Sequence, residues 1–165
     1  MNMKRFLMIM LVGLGLTASV NAQSLMQEVH EKATAIVSNP ASSEEQININ
    51  QFKITALNYI VTQVSKRNLK KDSYFFDCQA VNLQTFISEF MSNLMKARQI
   101  STEKKQQVID CYRKATLDNV LFNDAEKAKV QTYVNEANSP TPFSLDTDWE
   151  KAYEQATKNV KLILK

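Results

Sequence analysis

Beyond its first two dozen residues the chain repeats apolar positions at steps of three and four, the period of helices with one buried face. The pattern is most sustained at Phe76, Ala80, Leu83, Ile87, Phe90 and Leu94, a heptad-like seam that Asp72 is placed to cap and that reaches about Arg98. Upstream, Ser24 with Gln27 has the spacing of a capping box, Leu25, Val29, Ala33 and Ile36 keep one face apolar, and Asn39-Pro40 ends the run. A polar loop, Ala41 to Gln46, comes next. Ile47-Asn48-Ile49-Asn50 alternates like a strand but is too short to pair alone, so it reads as an extended lead-in. The helix that follows is expected from about Asn50 to Arg67, burying a subset of Ile54, Leu57, Ile60, Val61 and Val64.

Ser101 opens a fourth stretch, with Val108, Cys111 or Tyr112, and Ala115 inward; Leu117 to Phe122 is an apolar connector. Asp124 is placed to cap a helix bearing Val130, Tyr133 and Val134, which Ser139-Pro140-Thr141-Pro142 breaks. Thr147 with Glu150 suggests a second capping box before a stripe of Trp149, Ala152 or Tyr153, Ala156, Val160 and Ile163. The expectation is an all-α fold, an antiparallel bundle of five to six helices, with residues 23–165 as one domain.

The first residues follow a different rule. Lys4 and Arg5 precede an apolar run, Phe6 to Leu16, which relaxes into small and polar residues ending at Ala22. That order reads as a secretory signal peptide cleaved after Ala22, which would place the protein in the periplasm or outside the cell. The run is too short to span a bilayer, and no later stretch is long enough to act as an anchor after cleavage. Both glycines, Gly13 and Gly15, belong to this segment. Phosphate-binding loops, dinucleotide fingerprints and nucleophile elbows need glycine, so the remainder is excluded from those chemistries. Helix ends then fall to asparagine, with Asn39, Asn68 and Asn138 as candidates. The whole chain has 20 basic residues, 17 acidic ones and a net charge of +3; losing Lys4 and Arg5 leaves +1, which removes the electrostatic case for nucleic acid.

Two cysteines, Cys78 and Cys111, each follow an aspartate. Export favours a disulfide, but a hairpin turning near residues 99 and 100 sets the two out of step by ten residues. That is about 15 Å along a helix, against the roughly 7 Å a bridge tolerates. Preceding aspartates also disfavour a reactive thiolate. Two unrelated cysteines, packed or semi-exposed, is the expected arrangement; a Cys78–Cys111 disulfide would need a steep crossing of the two helices.

Several motifs stop short of chemistry. His30-Glu31-Lys32-Ala33-Thr34 lacks the second histidine of a zinc protease, and Ser101-Thr102-Glu103-Lys104 lacks the KTG partner of penicillin-binding enzymes. Asp146, Asp148 and Glu150 have calcium-loop spacing but neither the turn glycine nor the terminal glutamate, so they read as charge favoured at a helix start. No cofactor or metal set is assembled. Lys66, Arg67, Lys70 and Lys71 form a basic cluster that suits an anion contact or the solvated end of a helix. Phe86, Phe90, Met91 and Met95 suit either core or the lining of a ligand or interaction surface.

Phe76-Asp77-Cys78-Gln79-Ala80, the run Asn119 to Asp124, and Pro142 to Glu150 resemble uncharacterised small exported helical proteins of Bacteroidetes. The resemblance implies an exported helical protein and carries no activity with it. The sequence therefore points to a non-enzymatic protein that binds an envelope or extracellular protein or surface. The alternatives are a carrier or sensor of an apolar small molecule in the bundle interior, and a small hydrolase using paired carboxylates.

Overall fold

A computed structural model describes residues 24–124 and 143–165. The proposed leader, the helix expected around Val130 to Val134, Asn138 and the break at Ser139 to Pro142 lie outside them. The described residues form five helices and no strand: α1 (Leu25–Ser38), α2 (Glu44–Lys66), α3 (Ser73–Ile100), α4 (Thr102–Asp118) and α5 (Trp149–Ile163). The fold is all-helical.

Each start has a side-chain cap that satisfies a first-turn amide. The Ser24 oxygen accepts from the Gln27 amide at 3.1 Å, Asp72 from Phe75 at 3.0 Å, and Ser101 from Lys104 at 3.0 Å. Gln27 does not complete the box; its side-chain Nε2 donates to Glu31 at 2.9 Å. The complete box is one helix later. Ser43 accepts from the Gln46 amide at 3.2 Å, and its own amide donates to the Gln46 side chain at 2.9 Å. This starts α2 at Glu44 and corrects the extended lead-in: Ile47 to Asn50 are helical, with Ile49 buried and Asn50 donating to the Gln46 carbonyl. The start of α5 also differs. Asp148 is its cap, while the Thr147 hydroxyl donates to the Ser144 carbonyl at 2.7 Å.

Along α2, Leu57, Ile60 and Val64 are buried as expected, while Val61 faces solvent and Phe52 and Ala56 are added to the core. Helix α3 is the centre of the molecule. Its seam residues Ala80, Leu83, Ile87, Phe90 and Leu94 are buried, and α1, α4 and α5 all lie along it. Ser101 ends α3 and caps α4, so the chain reverses in one extended residue. α5 packs on both α3 and α4, while α1 and α2 form a hairpin held to α3 mainly through α1. Phe52 of α2 stacks edge-on against Phe143 and Trp149, and Phe86 does the same from α3. Phe90 and Tyr112 complete one aromatic centre. Such pairs add about 0.5–1.5 kcal/mol each beyond the area they bury.

Candidate functional site

The polar groups near the core are engaged in joining elements. Both Asp146 carboxylate oxygens accept backbone amides, from Phe122 at 2.8 Å and Asp124 at 3.1 Å, and Asp146 is only 2 % exposed. They hold a sharp bend in which Asn123 takes a positive φ of 48°. Asp124 accepts from the Tyr59 hydroxyl at 3.2 Å and faces Arg67 at 3.4 Å. Burial first, then the charges of Asp146 and Asp124, lift the Tyr59 hydroxyl well above the ordinary phenol range. On the far side, Glu89 accepts from Tyr153 and Thr157, each at 3.1 Å, and so ties α3 to α5. Gln79 accepts from the Trp149 amide at 2.9 Å and donates to Asp148 at 3.3 Å. Asp148 caps the helix, as its position suggested, whereas Asp146 connects to the distant Phe122–Asp124 bend instead of serving the helix start; Glu150 lies beside Cys78.

The two Asp-Cys pairs serve different ends. Asp77 accepts from the Met26 amide at 2.9 Å and caps the start of α1 from across the interface. Asp110 is exposed and accepts from Gln106 one turn away. Both thiols are free. Cys78 sits beside Glu150 at the start of α5, whereas Cys111 donates to the Ala156 carbonyl, six residues further along the same helix. That offset is about 9 Å, beyond a disulfide's reach. Burial pushes both thiols upward, and at Cys78 the Glu150 carboxylate adds to it.

The other motifs keep structural duties. Thr34 donates to the His30 carbonyl, His30 Nε2 is enclosed without a hydrogen-bond partner, and Ser101 is the shared cap already described. Among the described residues no three His, Cys, Asp or Glu side chains converge in a way that would hold a metal ion. The proposed lining group Phe86, Phe90, Met91 and Met95 is not one surface. Phe86 and Phe90 are buried against the rings of Tyr112 and Phe143, Met91 packs beside the core, and Met95 is 56 % exposed. Rings at neighbouring helical turns face the same centre, so the pair that marked a cavity lining fills space instead.

The basic cluster divides as well. After α2, Asn68 adopts a positive φ of 50°, the Leu69 amide reaches back to the Val64 carbonyl and the Asn68 amide to Ser65, which is a Schellman ending made with asparagine. This turns Arg67 inward. It donates to the Phe122 carbonyl at 3.0 Å and lies over the Phe122 ring at 5.6 Å. Lys70 and Lys71 are exposed and, with Asp72 and Phe75, line a shallow recess open to solvent. The Lys71 ammonium sits 4.6 Å from the Phe75 ring centre, a cation–π contact. Leu69 and Tyr74 stand exposed beside it, Tyr74 at 76 %. Among the described residues no ion pair engages Lys66, Lys70 or Lys71. Recess, cations and the exposed Tyr74 ring make this corner the best candidate contact site. The Lys-Arg run and the Asn68 cap were visible in the sequence; the inward turn of Arg67 was not.

No family model matches the chain, and neither a curated protein nor a solved structure does. Nor does any helix among the described residues have the length and apolarity to cross a membrane.

Proposed function

We propose that this is an exported, non-enzymatic binding protein that meets an acidic partner with its α2–α3 corner. The observation that carries the reading is the recess between Lys70, Lys71 and Phe75, flanked by exposed Tyr74 and Leu69, where two ammonium groups and apolar surface face solvent together. An acidic group with a planar or aliphatic neighbour would engage both features at once. The Lys4-Arg5 and Phe6–Leu16 pattern supports export. The engagement of Asp146, Glu89 and Gln79 in fold-joining hydrogen bonds favours binding over catalysis.

A photo-crosslinking residue at position 74, incorporated in the native host, tests the reading. A discrete adduct that disappears when Lys70→Glu and Lys71→Glu are combined is the expected result. No adduct at 74, or one indifferent to both lysines, refutes the corner as a contact. An intact mass measured on the exported protein reads the leader separately, since cleavage after Ala22 removes residues 1–22.

A further inference from the structure

The end of the molecule away from that corner has a different character. Ser101 joins α3 to α4 there, and the Lys104 ammonium donates to the Ile163 carbonyl, which brings the C-terminus of α5 onto the same tip. Residues 95–105 and 158–165 hold seven basic residues and one acidic residue, Glu103. Among the described residues no ion pair engages these cations. The helix dipole accounts for Arg98 and Lys161, which lie in last turns. The C-terminal end of α5 accounts for Lys104 in the same way, through the Ile163 carbonyl. The dipole does not account for Lys105, which lies in the first residues of α4, where a positive charge is disfavoured. Among the cations stand three apolar side chains that the bundle leaves outside: Met95 at 56 % exposure, Ile100 at 57 % and Leu162 at 68 %.

We propose that this tip docks on an anionic lipid bilayer, with Ile100, Leu162 and Met95 entering the headgroup region and the surrounding lysines meeting the lipid phosphates. Charge complementarity selects an anionic surface, and the apolar content selects a lipid one. A tip of three scattered side chains is far smaller than the roughly 800 Å² per partner of a standard protein interface. On a bilayer the same groups act additively, each lysine near the surface contributing on its own while its aliphatic stem lies along the apolar boundary. This contact is independent of the α2–α3 corner, at the other end of α3.

Sedimentation of the purified protein with vesicles tests it. Binding is expected to phosphatidylcholine vesicles containing phosphatidylglycerol, weakened by salt, and not to phosphatidylcholine alone. Neutralising Lys96, Lys161 and Lys165 together to Gln should lower the affinity by about a hundredfold, near fivefold for each lysine. Ile100→Ser with Leu162→Ser should also release the protein, while Lys70→Gln with Lys71→Gln should leave binding unchanged. These positions are exposed, so an unchanged unfolding midpoint checks that each variant is folded. Binding to neutral vesicles alone, no binding to anionic ones, or loss of binding through the corner variant would each overturn the assignment. So would tip-dependent crosslinking to an acidic protein without vesicle binding, which would make the tip a protein contact.

Discussion

Helices α1 and α5 are nearly equal in length, 14 and 15 residues, and each begins at a well-formed cap. Their attachments differ. α5 buries Trp149, Ala152, Ala156 and Val160 and is joined to α3 through Gln79 and Glu89. α1 buries Ala33 alone, and a carboxylate from α3, Asp77, accepts one of its first-turn amides. Caps and periodicity fix that a helix forms; burial fixes how firmly the rest of the molecule holds it. α5 is therefore expected to belong to the cooperative centre, and α1 to open first.

Trp149 carries the largest share of the difference between the two helices. Trp149→Ala should cost about 3–5 kcal/mol in denaturant unfolding, because it empties the aromatic centre. If the loss is under about 1 kcal/mol, α5 is no more central than α1. Next comes Asp146→Ala, which leaves the Phe122 and Asp124 amides without their acceptor and should cost about 2–3 kcal/mol. Asp77→Ala removes one cap and should cost about 1 kcal/mol. The distinguishing readout is amide exchange, faster throughout α1 and unchanged in α3 and α5. A uniform increase would show that α1 unfolds only with the whole.

A smaller effect, of opposite sign, is expected on α2. Lys53 is 7 % exposed, and burial lowers its ammonium pKa below 10.5. The unfolded chain then binds the proton more tightly than the folded one, so wild-type stability rises with pH through the interval between the lowered pKa and 10.5. Lys53→Met should stabilise by about 0.5–1 kcal/mol at neutral pH, with the gain shrinking as pH climbs through that interval. A gain that stays constant with pH would trace to packing rather than charge.

How far this was legible follows from whether a contact is local. The α3 seam could be read because all six of its positions lie on one helix and obey one period, and the Asp72, Ser101 and Ser24 caps reach only three residues ahead. The start of α2 was equally local, through Ser43 and Gln46, but the alternation of Ile47 to Asn50 imitated a strand and hid it. Phe143 gave no periodic signal because it lies in a connector, although its ring reaches Phe52, Phe86 and Phe90. Asp146, Glu89 and Asp77 bind partners more than 20 residues away, and no spacing rule reaches that far. At the candidate site the lysines were evident by composition. The split between Arg67 and its neighbours required the Asn68 turn in three dimensions.

The single-residue reversal at Ser101 also bears on how the chain finds its fold. With one residue closing the loop, α3 and α4 meet at almost no chain-closure entropy, and their contacts, such as Asn93 to Tyr112, span short sequence distances. That hairpin is therefore expected to form early in folding, ahead of the docking of α5 and the α1–α2 pair. Residues inserted beside Ser101 would then slow refolding more than they speed unfolding.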